Sequence, residues 1–132
     1  MSDEPSRPGF RARPRSGDIA NADTDRLLVE VTRIRSRLSR AARDGRDRFV
    51  AVDSDSYDIG MLAVIHLADF VTRELPDDVV SSLPELARDG LRATRNIAAH
   101  NYAGLDNARL WNTVTEHAPA LLDDIEAALR AR

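Results

Sequence analysis

Apolar residues return every third or fourth position over long stretches of this chain, and this spacing limits its fold more than any other feature. Leu27, Val31, Ile34, Leu38 and Ala41 show the pattern. Residues three and four apart share one face of an α-helix, whereas a half-buried strand needs strict alternation, of which the sequence has no example. The chain also has no cysteine, which excludes a disulfide scaffold, a thiolate zinc site and a cysteine nucleophile. The sequence therefore predicts an all-α fold.

Helix-ending residues mark off two helices in the first part of this pattern. The first helix is predicted to begin near Asp23 and to end at Gly45, because glycine commonly follows the last turn of a helix. The second is predicted over about 56–75 and is apolar on most sides, so we expect it to be central. Pro76 ends it, since proline disfavours helical geometry in the residue before it.

Two further helices are predicted after Pro76. Ser82 and Glu85 have the spacing of a capping box, and the third helix should run from there to about residue 103, closed by Gly104. Asp106 can cap a fourth helix, which Pro119 should kink or split in two. Helices joined by short connections make an antiparallel bundle of four or five helices.

The region before the first helix differs in composition from the rest. Residues 1–22 lack an apolar core and are rich in Pro, Ser, Gly, Arg and Asp, which predicts a flexible tail before a single helical domain at 23–132. We see no targeting signal there, and the richest apolar run, 61–70, is too short to span a bilayer, so we expect a cytoplasmic protein. The alternative to a solvated tail is one that contacts a phosphate backbone through its four arginines: Arg7, Arg11, Arg13 and Arg15.

The third helix has a polar face and an apolar face. At about 100° per residue, the polar arc contains Glu85, Arg88, Asp89, Arg92, Arg95, Asn96 and His100, with Tyr102 just beyond its edge. The opposite side contains Leu83, Leu86, Ala87, Gly90, Leu91, Ala93, Thr94, Ile97 and Ala98. The polar residues are therefore expected to point away from their own bundle.

Arg95 and His100 have the chemistry for phosphodiester cleavage. A guanidinium can hold a phosphate and stabilise its developing charge, and a histidine can move a proton at the attacking or leaving oxygen. The helix dipole favours the imidazolium form in a last turn, where His100 is expected. The net charge of −3 argues against bulk coating of nucleic acid, so such chemistry must sit in a local site. A plain solvated surface is the alternative for this face.

The string Arg95-Asn96-Ile97-Ala98-Ala99-His100-Asn101-Tyr102 resembles the Arg-x4-His-x-Tyr signature of the HepT family in the HEPN superfamily. Gly90-Leu91 resembles the lead-in to that signature. The downstream residues that resemble the family pattern are Gly104, Leu105, Asp106, Leu110, Trp111, Val114 and Pro119. The resemblance covers about 23–129.

This resemblance implies a HEPN-like helical bundle that dimerises, with the two signature helices across a shared cleft. Active members resemble metal-independent endoribonucleases that act as toxins in toxin–antitoxin pairs. The resemblance therefore implies an enzyme that needs no cofactor. Carried over, Arg95 and His100 are the catalytic pair and Asn96 supports the site. Tyr102 is the residue that an MntA-like nucleotidyltransferase antitoxin modifies with AMP. The implied partners are RNA, that antitoxin and a second copy of the chain.

The second helix departs from the family pattern. Many relatives have a run close to Gly-Glu-Ala where this chain has His66-Leu67-Ala68. The glutamate of that run therefore either has no counterpart in this chain or is replaced by an acidic residue elsewhere, for example Asp69. His66, Asp69 and Arg73 share a face and, with Arg92, are candidates to flank the cleft. The alternative is a core histidine satisfied by Asp69. The three histidines show no metal-ligand spacing, so we predict no metal site.

Other polar and aromatic features have two interpretations each. Arg33, Arg37 and Arg40 form a row that either guides RNA or is simply solvated. Trp111 is a core or dimer anchor rather than a stacking platform. An acidic patch is predicted to cap the second helix or to meet a basic antitoxin surface; it comprises Asp53, Asp55 and Asp58.

Two other function classes compete with the ribonuclease. The first is a non-catalytic helical binding subunit that presents a nucleotide or substrate to a nucleotidyltransferase. The intact pair Arg95 and His100 favours the enzyme over this module. The second is a helix-turn-helix DNA regulator, which is disfavoured because the polar face of the third helix mixes acids with arginines.

Overall fold

A computed structural model describes the backbone of residues 16–100 and 107–132, and the side chains of residues 21–92, 96 and 107–132. The helices are α1 (Ser16–Ala42), α2 (Arg46–Val50), α3 (Asp55–Asp69), α4 (Asp77–Ser82), α5 (Glu85–His100), α6 (Asn107–Asn112) and α7 (Ala118–Arg130). π-Helical turns extend α3 over Phe70–Glu74 and join α6 to α7 over Thr113–His117. The described residues contain no strand, which confirms the all-α prediction.

The long helices form a bundle in which each packs against two others. Helix α1 packs against α3 and α7, and α5 packs against the same two helices. Helix α5 is therefore diagonal to α1. The apolar stripe predicted on the first helix is fully buried, and so are Phe49 of α2 and Phe70 after α3. The four- to five-helix bundle is confirmed; the short helices α2 and α4 are additions that the apolar periodicity did not predict.

The first helix begins earlier than predicted. Helix α1 starts at Ser16, so residues 16–22 are helical rather than part of a flexible tail. Residues 1–15, with the tail arginines, lie outside the described residues. At the other end α1 stops at Ala42, and Gly45 has φ of +90°, a conformation in which a glycine has no side-chain clash. The predicted end of this helix is therefore confirmed.

The cap of α3 differs from the prediction. Ser54 is the N-cap residue, and its Oγ accepts a hydrogen bond from the backbone N–H of Tyr57 at 3.1 Å. The predicted acidic cap is therefore wrong, although Asp55 and Asp58 lie in the first turn, where carboxylates interact favourably with the helix dipole. Asp53 precedes the cap with φ of +58°, so it belongs to the turn that brings Ser54 into place.

The predicted capping box at Ser82 and Glu85 is also wrong. Ser82 is the last residue of α4, and its hydroxyl donates back to the carbonyl oxygen of Val79 at 2.8 Å. Helix α5 begins at Glu85 after Pro84, whose carbonyl oxygen accepts from the N–H of Ala87 at 3.0 Å. Ser82 therefore belongs to the short helix α4, whereas its spacing to Glu85 had predicted that it caps α5.

The prediction that Pro119 would kink or split the last helix is confirmed. It lies in the first turn of α7, directly after the π-helical turn, where a missing N–H is tolerated. The N–H of Ala118 donates to the carbonyl oxygen of Thr113, which is a π-type bond. The predicted end residues Gly104 and Asp106 lie outside the described residues.

Candidate active site on helix α5

The first half of α5 separates buried from exposed residues. Leu83, just before the helix, is buried together with Ala87 and Leu91. Arg88, Asp89, Arg92 and Asn96 are exposed, as the helical projection predicted. Leu86 corrects that projection: it is 83% exposed, because the side of α5 that meets α3 and α7 is narrower than the apolar arc.

Two of the signature residues, Arg95 and His100, lie in the last turns of this helix. Arg95 is one turn after Arg92, and His100, one turn after Asn96, is the final residue of α5. The side chains of Arg95 and His100 lie outside the described residues, and so does Tyr102 as a whole. Asn96, the predicted supporting residue, is exposed.

Charged side chains on the exposed face of α5 interact locally. Arg92 forms an ion pair with Asp89 at 3.0 Å, and both side chains are mostly exposed. Arg88 donates to the carbonyl oxygen of Ser81, at the end of α4. Exposed pairs of this kind contribute little to stability, so a phosphate could displace Asp89 from Arg92 at small cost. Arg92 thus remains a predicted flank of the site.

His66 lies on α3. The alternative prediction, a core histidine satisfied by Asp69, is wrong, because its ring contacts other residues. Its Nδ1 is 2.8 Å from Nη1 of Arg37, and its Nε2 is 3.4 Å from Oε2 of Glu30. A guanidinium only donates, so Nδ1 accepts and Nε2 carries the proton in this arrangement. With both ring nitrogens engaged by α1, His66 ties α3 to α1.

The other two flank candidates on the second helix pair with each other. Asp69 and Arg73 are 3.8 Å apart and both are mostly exposed. Sequence reasoning did not identify Glu30 and Arg37 as partners of His66. The available signal was their seven-residue spacing, which puts both on one side of α1, but no local pattern shows which helix that side meets.

The remaining aromatic and metal-site predictions have different outcomes. Trp111 packs against the core, with its ring 5.2 Å from that of Phe49, which confirms it as a core anchor. In the described part of the chain, no three His, Asp or Glu side chains are close enough together to hold a metal ion. None of the described helices is long and apolar enough to cross a membrane.

Comparison with known families identifies the class of this bundle. Residues 63–128 match the family described as ribonuclease HepT-like. The match runs from α3 through the signature helix to α7 and covers half of the chain, so the chain belongs to the ribonuclease HepT-like family. No curated protein and no solved structure gave a match. The resemblance expected from the signature string is thereby confirmed, whereas α1 precedes the matched segment.

Proposed function

We propose that this chain is a metal-independent endoribonuclease toxin whose active site is built on Arg95 and His100. The observation that carries the proposal is the Arg-x4-His-x-Tyr string, whose arginine and histidine lie at the end of α5, inside the segment that matches a ribonuclease family. The exposed polar row of Arg92 and Asn96 supports it, because the helical repeat extends this row to positions 95 and 100.

The proposed reaction uses the 2′-hydroxyl of RNA as the nucleophile. A base removes the 2′ proton, the 2′ oxygen attacks phosphorus, and the bond from phosphorus to the 5′ oxygen breaks as an acid protonates that oxygen. Arg95 binds the phosphate oxygens and stabilises the charge that builds up on them. His100 acts as acid or base, and the products are a 2′,3′-cyclic phosphate and a free 5′-hydroxyl.

A dimer would complete this site. Cleavage needs an acid and a base, and each chain carries one signature histidine, so a two-fold axis that brings two α5 helices together supplies both. Tyr102 is the proposed target of a nucleotidyltransferase antitoxin. An AMP group on its oxygen adds bulk and negative charge where the RNA phosphate would bind.

The test is RNA cleavage by the purified chain in excess chelator. We expect fragments with cyclic phosphate ends, and at least about a hundredfold loss of rate in Arg95→Ala and in His100→Ala. Matched controls are Arg43→Ala and His117→Ala, which replace exposed residues outside α5 and should keep their activity. Cleavage that survives both signature substitutions would refute the site, and loss of activity in chelator would refute the metal-free route.

The antitoxin proposal has a separate test. We expect the chain to arrest growth when expressed alone, and to gain the mass of one or more AMP units when expressed with the nucleotidyltransferase encoded next to it. The mass gain should disappear in Tyr102→Phe. Growth without arrest in every host, together with no cleavage in vitro, would instead favour the non-catalytic binding subunit.

A further inference from the structure

The outward side of α3 carries an apolar strip that the bundle leaves uncovered. Leu62 is 65% exposed and Ile65 is 37% exposed. With Ile59 they line a groove of about 560 Å³ between α3 and α1, whose other lining residues are Arg37, Arg40, His66 and Asp69. Adjacent exposed aliphatic side chains flanked by charges are typical of protein–protein contact surfaces.

The two edges of this groove carry opposite charges. The α1 edge has Arg37 and Arg40, with Arg33 one turn before Arg37, whereas the α3 edge has Asp69 and, one turn before Leu62, Asp58. Among the described residues, neither Arg40 nor Asp58 has a side-chain ion pair or hydrogen bond. The groove therefore has a basic edge and an acidic edge, each with unused charge.

Contacts between the helices fix which residues lie at the same level. Nη1 of Arg26 on α1 is 3.4 Å from Oε1 of Glu74 after α3. His66 on α3 contacts both Glu30 and Arg37 on α1, so it lies at a level between them. Helices α1 and α3 are therefore antiparallel, and extending this register places Arg40 at the level of residues 59 and 60. Arg33 is by the same count at the level of residues 66 and 67. Each arginine thus lies within about one turn of an α3 aspartate.

We propose that a second copy of this chain docks on this groove, related by a two-fold axis parallel to the helices. Such an axis places α1 of each chain against α3 of the other, at the same level. Arg40 then meets Asp58 of the partner subunit, Arg33 meets Asp69 of the partner subunit, and the apolar strips close on each other. Every contact occurs twice, as an isologous interface requires.

This contact surface is distinct from the signature cleft, so in this proposal His66 and Asp69 belong to the groove and not to the flank of the cleft. Helix α5 packs against α3 and α7 and lies diagonally across the bundle from α1. Docking on the α1–α3 groove therefore leaves the exposed face of α5 free. The proposal goes beyond the proposed ribonuclease function and does not depend on it. A chain with two such two-fold surfaces would assemble beyond a dimer.

An RNA strand fits this groove less well than a second copy. Asp58 and Asp69 would repel its phosphates. Among the lining residues the one aromatic ring is the imidazole of His66, and both of its nitrogens are already engaged by α1. The arginine row is thus better placed for protein contact than for guiding RNA.

Charge reversal tests the predicted pairing. By sedimentation, Arg40→Asp and Asp58→Arg should each weaken self-association by about tenfold or more, because symmetry creates two like-charge contacts per interface. The double variant should regain the association, since it only exchanges the partners. Two single variants that associate normally, or a double variant that remains as weak as the singles, would overturn the proposal. His100→Ala should associate like the unsubstituted chain, which separates this test from that of the active site.

Cross-linking tests the geometry directly, because the chain has no cysteine of its own. Arg40→Cys and Asp58→Cys chains, mixed and treated with a short bismaleimide, should give cross-linked dimers in clearly higher yield than either chain alone. Leu62→Glu in both chains should reduce this yield to background, whereas Val52→Glu, at an exposed loop position, should not. Equal yields in the mixture and in the separate chains would overturn the proposal. Loss of RNA binding in Leu62→Glu with unchanged cross-linking would also overturn it and would indicate RNA as the occupant.

Discussion

Gly60 of α3 lies so close to Phe49 of α2 that it gives a sharp stability prediction. A Cβ atom at Gly60 would lie 2.8 Å and 3.0 Å from two ring atoms of Phe49 and 3.1 Å from Cγ2 of Val114. Ordinary carbon–carbon contacts are about 3.5–4.0 Å, so the ring would have to withdraw by roughly 0.5–1 Å. Phe49 is fully buried, and its ring packs against those of Tyr57 and Trp111. It therefore has little room to move.

Two opposing effects set the magnitude for Gly60→Ala. Replacing a glycine inside a helix by alanine stabilises by about 1 kcal/mol, whereas overpacking a well-filled core costs about 1–3 kcal/mol. Because the phenylalanine ring is confined, we expect the upper part of that range and a net loss of about 1–2 kcal/mol. Gly90→Ala makes the same chemical change in α5, where an added Cβ meets nothing within 4 Å. It should stabilise by up to about 1 kcal/mol.

Urea unfolding followed by circular dichroism, at one fixed protein concentration, measures both variants. The two alanine variants should differ by about 1–3 kcal/mol in free energy of unfolding, with opposite signs relative to the unsubstituted chain. In a Phe49→Leu background, Gly60→Ala should lose most of its penalty, because the opposing ring is gone. Equal stability of the two alanine variants would refute the packing argument. An unchanged penalty in the leucine background would show that the ring is not its cause.

Three further predictions concern local interactions. Ser54→Ala should lower the free energy of unfolding by about 1 kcal/mol, because it removes the N-cap of α3. The hydrogen bond from Arg130 lowers the pKa of Glu126 below its ordinary value of 4.5, so its stabilising effect is present at neutral pH and disappears as pH falls through the lowered pKa. The unsubstituted chain should therefore lose more stability than Glu126→Gln between about pH 6 and about pH 3, measured by urea unfolding. Leu86→Ala should change stability by less than about 0.5 kcal/mol, whereas Leu91→Ala should cost about 2–5 kcal/mol, because only the second is buried.

Each of these predictions has a control. Ser39→Ala, at an exposed position inside α1, should not destabilise. Glu116→Gln, at an exposed position near α7, should follow the pH response of the unsubstituted chain. A Ser54→Ala variant as stable as Ser39→Ala would contradict the cap, and parallel pH curves for Glu126→Gln and the unsubstituted chain would contradict its coupling to Arg130. Equal losses in Leu86→Ala and Leu91→Ala would restore the original helical projection.

Local sequence succeeded where neighbouring residues along the chain decide the structure. The stripe from Leu27 to Ala41, the end of α1 before Gly45 and the break at Pro119 all depend on one helix period or one backbone restriction. The caps were less predictable. Ser54 and Ser82 are both suited to an N-cap, but the extra helix α4 placed Ser82 at a C-terminal end. Which serine caps depends on where a neighbouring short helix forms.

The sequence by itself determined the all-α class, the core stripe of α1 and the family, because periodicity and a contiguous signature string are properties of the chain alone. Tertiary structure decided which exposed or buried role each ambiguous side chain has. Leu86 and Leu62 are as apolar as the buried leucines, yet no helix of the bundle covers either of them. His66 pairs with Arg37 and Glu30 because α1 lies antiparallel beside α3, and a partner across two helices leaves no trace in local spacing.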